Sequence, residues 1–280
     1  QRDFGDRTNR RHARFKYTID DRGVEWLIGE LNSRLGWEIA PARDFEIVKN
    51  GDEYGWLKGV DGKWHLTLFI EHGRVRDTDD YPLKAGLRKV AELGICDFRL
   101  TGNQGLMLGS IAEKDKPALE AVLKEYGILQ RLEVSAARKN TIACAALPYC
   151  VLSMAEAERY LPTLMDKIDV ILKDCGLWDD PIVIRMTGCP NGCGRPFMGE
   201  IGFVGKSMGH YNVYLGAGFA GERLNKLWKE SLTEEQILTE LEPLIRHYAK
   251  DRNPGEKFGD FVIRTGYIKA TTAGKNFHDQ

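Results

Sequence analysis

The sequence has no excess of charge of either sign and no long apolar run. Its 40 basic and 41 acidic residues give a formal net charge of −1 over 280 residues. It therefore lacks the basic excess that neutralises phosphates, and we expect no nucleic-acid partner. No stretch approaches the roughly 18 apolar residues of a membrane-spanning helix, and no apolar export segment with a cleavage site follows the first residues. We expect no membrane partner and a cytoplasmic location.

The fingerprint of dinucleotide binding is also missing, because no Gly-x-Gly-x-x-Gly follows a predicted strand. We therefore do not expect this chain itself to bind a nicotinamide dinucleotide. With 42% hydrophobic residues, the chain can bury a substantial core and should form about two domains of roughly 100–200 residues each.

Periodicity divides the chain into four parts. Residues 1–45 form a basic leader, which resembles a cut or processed start, and a linker helix predicted from about residue 21 to 35. Residues 46–130 are predicted to contain strand, strand, helix, strand, strand and helix, which is a compact α+β unit.

Residues 131–272 are predicted to form an α/β domain, and residues 273–280 a tail. The domain should contain a long helix after Cys150, a helix from about 234 to 250 behind Thr233, and several strands. The predicted strands are a short buried one at 182–186, further ones at 201–204 and 211–215, and a closing one at 261–264.

Four of the six cysteines form two close pairs, Cys144 with Cys150 and Cys189 with Cys193. Five residues separate the first pair and three separate the second. Zinc ribbons use gaps of roughly two to four residues, with similar gaps on both sides. An iron–sulfur cube is wider than a single ion and accepts more varied spacings, often with Gly and Pro nearby. The spacing favours a metal cluster, while buried thiols, disulfides and zinc remain open alternatives.

The surroundings of these cysteines carry a resemblance to a known family. The pair Cys144-x5-Cys150 and the segment Thr187-Gly-Cys-Pro-Asn-Gly-Cys-Gly-Arg-Pro196 resemble the assimilatory sulfite reductase hemoproteins, within the wider sulfite and nitrite reductases. The resemblance covers nearly the whole chain, including residues 64–70, 154–159, 211–216 and 258–261. The other two cysteines, Cys96 and Cys175, are expected to be buried and inert.

The resemblance implies a fold, an activity and two cofactors. In the family, a siroheme is bridged through one cysteine thiolate to a 4Fe–4S cluster, and the pair reduces sulfite to sulfide with six electrons. By this resemblance the cluster ligands are Cys144, Cys150, Cys189 and Cys193, and Cys193 is the catalytic bridge to the siroheme iron. The implied fold is α+β: a mixed-sheet ferredoxin-like half-domain followed by an α/β domain that binds siroheme and 4Fe–4S.

A siroheme carries many carboxylates, so its pocket should supply Arg, Lys, Asn and Gln side chains. The predicted cofactor-binding residues are Asn103, Gln104, Arg138, Thr187, Asn191 and Arg195. Each of them could instead satisfy an ordinary backbone or surface partner.

The resemblance also implies partners. The chain is similar to the C-terminal half of a family built from two pseudo-symmetric halves, and the other half supplies most of the basic cage around sulfite. We therefore expect the missing N-terminal half and sulfite as partners, and little turnover by this piece alone. The segment 256–264 resembles NADPH-type enzymes, in which a separate flavoprotein subunit donates the electrons. A siroheme nitrite reductase and an iron–sulfur electron-transfer module without siroheme are the alternatives.

Overall fold

The computed structural model describes residues 1–273 and residue 277, and it divides into the units Gln1–Ile47 and Val48–Gln280. The first unit contains helices α1 (Phe15–Arg22) and α2 (Val24–Leu35). Gly23, with φ of +88°, separates them, so the predicted helix begins at residue 24 and not at 21. The four-part division of the sequence stays a prediction.

The second unit begins with an antiparallel sheet covered by two helices. Its elements are β1 (Gly55–Lys58), β2 (Trp64–Leu68), the short hairpin β3 (Asp77–Thr78) and β4 (Tyr81–Pro82), α3 (Leu83–Leu93), β5 (Asp97–Leu100), β6 (Leu106–Ile111) and α4 (Lys116–Glu125). The strand order of the four-stranded sheet is β1-β2-β6-β5. Leu66, Leu108, Val90 and Leu119 belong to one buried cluster that joins sheet and helices. The predicted α+β order is confirmed, with one additional hairpin.

A larger five-stranded sheet follows. Its elements are α5 (Ala136–Lys139), β7 (Ile142–Ala143), α6 (Leu161–Asp174), β8 (Ile184–Thr187), β9 (Ile201–Ser207), β10 (His210–Leu215), β11 (Lys226–Leu232), α7 (Glu234–Asp251) and α8 (Phe258–Arg264). The strand order is β11-β10-β9-β8-β7. Strands β7, β8 and β9 are mutually parallel, whereas β9, β10 and β11 pair antiparallel. The predicted capping box of α7 is present at Thr233.

The two faces of this sheet have different partners. Met186 and Phe203 are register partners and belong to the buried cluster that includes Leu164 of α6 and Leu241 of α7. Because side chains alternate along a strand, the neighbouring positions lie on the opposite face. These are Arg185 and Thr187 of β8, Gly202 of β9 and Tyr214 of β10, and we call this the cysteine face.

Two features of the second unit were not predicted correctly. The closing strand at 261–264 is wrong, because Phe258, Phe261 and Val262 are buried at helical spacing in α8. Strand β11 was missed because lysines and glutamate interrupt its apolar residues, as is common at a sheet edge. The predicted tail lies outside the described residues, apart from residues 273 and 277. No helix of the described part is long and apolar enough to cross a membrane.

Candidate functional site

Cys144 is the residue directly after β7, and its sulfur accepts two hydrogen bonds from residues at the end of β8. The backbone N–H of Gly188 donates to Cys144 Sγ at 3.2 Å, and the Thr187 hydroxyl donates to the same atom at 3.4 Å. The Cys144 N–H donates to the carbonyl of Met186 at 3.2 Å, which continues the parallel pairing of the strands. Both donors belong to the residues that directly precede Cys189.

Backbone hydrogen bonds join the loop that carries Cys150 to Gly188, at the end of β8. Met154 and Ala155 both donate backbone hydrogen bonds to the carbonyl of Gly188, at 2.8 and 3.1 Å. The backbone N–H of Leu152 hydrogen-bonds to the Cys150 sulfur and lowers the pKa of that thiol below its usual value. In contrast, burial raises the pKa of the Cys96 thiol. Cys150 is therefore better suited than Cys96 to act as a ligand.

Glycines allow the second cysteine pair to approach the first. A Cβ atom at Gly194 would lie 2.1 Å from the Met186 carbonyl oxygen and 3.2 Å from the Cys144 nitrogen. A Cβ atom at Gly188 would lie 2.6 Å from the Cβ of Ala146. Only glycine fits at such distances, so the backbone beside Cys193 lies directly over β8 and next to Cys144.

The four sulfurs differ in exposure, and they do not form a compact single-ion site. Cys189 is buried at 6% exposure and Cys193 is exposed. Among residues 1–273 and 277, no group of three or more His, Cys, Asp or Glu side chains could hold one metal ion. A cubane binds each thiolate at a different iron, so its ligands do not converge on one point. The two donors to Cys144 and the closely packed glycines bring the first and second cysteine segments together at the end of β8.

Arg195 and Asn103, two predicted cofactor-binding residues, lie together beside the second cysteine pair. The Arg195 guanidinium donates to the carbonyl of Gly102 at 2.8 Å and to Asn103 Oδ1 at 3.5 Å. The Asn103 amide in turn donates to Asp52 at 2.9 Å. Arg195 has a φ of +54°, a left-handed conformation that non-glycine residues adopt mainly where the surroundings enforce it.

Gln104, Thr187 and Asn191 occupy three different surroundings. The Gln104 amide donates to the Ala143 carbonyl at 2.7 Å and accepts from the Ala143 N–H at 3.1 Å. It therefore positions the residue before Cys144, and both ends of its amide are occupied. Thr187 is buried against the Cys144 sulfur, whereas Asn191 is exposed.

Arg138 is surrounded by acidic side chains. Its guanidinium donates to Glu71 at 2.7 Å, to Asp166 at 2.8 Å and to Asp169 at 2.9 Å. The Arg138 side chain is only 13% exposed. Binding of a cofactor carboxylate by Arg138 stays a prediction, and such a carboxylate would compete with these three.

Sequence reasoning missed a polar group centred on His72. The His72 ring lies 3.3 Å from the Glu158 carbonyl and 3.1 Å from the Thr141 hydroxyl, and Arg74 forms a bidentate ion pair with the Glu158 carboxylate. The Glu158 N–H donates to the Cys144 carbonyl at 3.0 Å. A cavity of about 320 Å³ adjoins this group and reaches residue 145. The available signal was the dipeptide His72-Gly73, which begins two residues after the predicted strand at 64–70.

Arg185 was also missed, although it is a lone charge in the apolar run 182–186. Its side chain is 4% exposed, and its Nε and Nη1 atoms have no hydrogen-bond partner among the described residues. Burial, and then the like charge of Arg195, lower the pKa of Arg185 to about 10, so the group remains a cation at neutral pH.

Comparison with known proteins places this arrangement in context. Residues 58–126 match the family model of the nitrite/sulfite reductase ferredoxin-like half domain. The chain is 55% identical over 278 residues to the sulfite reductase [NADPH] hemoprotein beta-component of Shouchella clausii. This chain is a relative of the sulfite reductase hemoproteins. The resemblance inferred from the cysteine motifs is thereby confirmed.

Two further proteins are similar to this chain, and the alignments show what share of each protein the chain covers. The hemoprotein beta-component of Anoxybacillus flavithermus is 56% identical over 279 residues. The structure of the Mycobacterium tuberculosis NirA protein matches with a TM-score of 0.77 at 27% identity, over 94% of this chain and 50% of that one. The two hemoproteins are covered over 48% and 49% of their length, against 99% and 100% of this chain. The chain thus spans about half the length of the curated relatives it matches.

Proposed function

We propose that this chain is the part of a sulfite reductase hemoprotein that holds a 4Fe–4S cluster and one side of a siroheme. The observation that carries the proposal is the meeting of both cysteine segments at the end of β8, where Gly188 and Gly194 contact the Cys144 region. In this proposal the cluster ligands are Cys144, Cys150, Cys189 and Cys193. Cys193 is exposed, which suits the thiolate that also bridges to the siroheme iron.

The proposed reaction is the six-electron reduction of sulfite to sulfide. The bound siroheme and cluster would supply the redox chemistry. The chain's own residues would hold and tune them: Gly188 and Thr187 donate hydrogen bonds to one ligand sulfur, and Gln104 fixes the backbone before it. Arg195 and Asn103 lie beside Cys193 and are the donors proposed for tetrapyrrole carboxylates.

The proposal includes partners. The chain spans about half the length of its relatives, and we assign most of the basic sulfite cage to the missing N-terminal half. The relatives are named as beta-components of an NADPH sulfite reductase. We therefore propose a flavoprotein reductase subunit as electron donor, with NADPH bound there, in the cytoplasm. The isolated chain should show little turnover.

Loading of the purified chain with iron, sulfide and siroheme tests the proposal. We expect about five irons for every four acid-labile sulfides, because the siroheme adds one iron to the four of the cluster. We also expect visible siroheme bands, and loss of siroheme and cluster in Cys193→Ser. The control is Cys175→Ser, because burial raises the pKa of that thiol and no role is assigned to it. Equal loading of the two variants, or zinc in place of iron, would contradict the assignment.

Nitrite is the second candidate substrate, because the matching family model is described for both nitrite and sulfite reductases. The two activities can be compared in the full-length enzyme by measuring kcat/KM for sulfide and for ammonia formation. A higher value for nitrite would favour the alternative.

A further inference from the structure

Arg185 lies on the cysteine face, on strand β8. In the sheet register it lies between Ile142 of β7 and Gly202 of β9. It is two residues before Thr187, so both side chains lie on the same face of β8. The Thr187 hydroxyl contacts the Cys144 sulfur, which places Arg185 about 7 Å along the strand from a residue that contacts a proposed ligand.

The chain that follows the second cysteine pair covers Arg185. A Cβ atom at Gly194 would touch the Met186 carbonyl, and a Cβ atom at Gly199 would lie 3.3 Å from the Cβ of Arg185. The segment from Cys193 to Gly199 therefore crosses over β8 at this position. As a result, the guanidinium is enclosed between the sheet and the segment that carries Cys193.

No anion of the described chain balances this charge. Arg185 forms no ion pair with a carboxylate of residues 1–273 or 277, and its Nε and Nη1 atoms lack hydrogen-bond partners there. Asn225 Oδ1 is also unpartnered, while the Asn225 amide donates to the Gly199 carbonyl. A water molecule could supply hydrogen bonds to both groups, but it cannot neutralise a buried cation.

We propose that Arg185 is the buried countercharge of the anionic metal–thiolate group held by the four cysteines. The inference rests on the proposed function, because it requires a cluster at these cysteines. Four thiolates make such a group negative, and reduction adds one further negative charge. A fixed cation nearby stabilises the reduced state more than the oxidised state. Arg185 is thus a positioning and tuning residue that does not touch the substrate.

Two variants and two measurements test the proposal. Arg185→Met keeps most of the side-chain volume and removes the charge, whereas Arg185→Lys keeps the charge. In the metal-free chain, unfolding by denaturant should show Arg185→Met at least as stable as the parent, because the unpaired buried cation is gone. In the loaded chain, a redox titration followed by electron paramagnetic resonance gives the midpoint potential of the cluster.

We expect Arg185→Met to reduce the equilibrium constant for one-electron reduction on the order of tenfold, which is a potential lower by about 59 mV. Arg185→Lys should keep most of the parent potential. An unchanged potential in Arg185→Met would overturn the inference and leave the proposed function intact. Strong destabilisation of the metal-free chain by Arg185→Met would overturn it too, since Arg185 would then be an ordinary structural contact. Failure of the parent chain to take up any cluster would refute the proposed function itself.

Discussion

Glu200 should make the stability of this chain depend on pH. Its side chain is fully buried, and its two carboxylate oxygens accept hydrogen bonds from the N–H groups of Val183, at 2.9 Å, and Gly259, at 2.8 Å. The carboxylate therefore joins the chain before β8 to the first turn of α8. Burial nevertheless dominates these bonds and raises the pKa of Glu200 from 4.5 to about 7.

The size and sign of the effect follow from the two pKa values. Between pH 4.5 and about 7 the folded chain binds a proton at Glu200 that the unfolded chain has released, so its stability falls as pH rises through this window. A difference of about 2.5 pKa units corresponds to roughly 3 kcal/mol. Glu200→Gln removes the titration and places an N–H group against one backbone donor, at a pH-independent cost of about 1–3 kcal/mol.

Denaturant unfolding of the metal-free chain at several pH values between 4.5 and 8 measures the prediction. The stability advantage of the parent over Glu200→Gln should shrink by roughly 3 kcal/mol across this range. Glu125→Gln is the matched control, because Glu125 is exposed and lies in the same unit. If the difference in unfolding free energy between the parent and Glu200→Gln stays constant with pH, then burial does not raise the pKa of the Glu200 carboxyl.

Two further substitutions test the ion network and the glycine contact. Arg138→Met should reduce the free energy of unfolding by about 3 kcal/mol, because it removes the cation that pairs with the buried Asp169 carboxylate. The exposed Arg246→Met should change it by less than about 1 kcal/mol; equal losses would contradict the role of the network. Gly194→Ala should lose iron loading, because its Cβ would lie 2.1 Å from the Met186 carbonyl oxygen. Gly102→Ala should keep the iron loading of the parent, because its Cβ would meet nothing within 4 Å. Similar iron loading of both variants would show that the close approach of residue 194 to β8 is not required.

Local patterns in the sequence predicted most of the fold. Alternating residues at 64–70 and the apolar stripe before Gly94 predicted β2 and α3 because burial imposes the same period on sequence and structure. The error at 261–264 arose because three consecutive apolar residues suit either a buried strand or a helix, and tertiary packing on the buried cluster decided for α8.

The candidate site was predictable where its chemistry is local and not where it depends on distant partners. Cys189 and Cys193 lie in one segment of ten residues, 187–196, so their spacing can be read directly from the sequence. The three carboxylates around Arg138 come from positions up to 67 residues away, so the sequence alone could not show that this guanidinium is occupied. The missing countercharge of Arg185 is likewise a property of the folded surroundings.

The bonds from Arg195 to Gly102 and from Gln104 to Ala143 cross between the two sheets of the second unit. Both crossings lie within two residues of a proposed metal ligand. The residues that position the proposed ligands therefore also form contacts between the two sheets. Metal binding at the cysteines and the packing of the two sheets against each other are therefore thermodynamically linked.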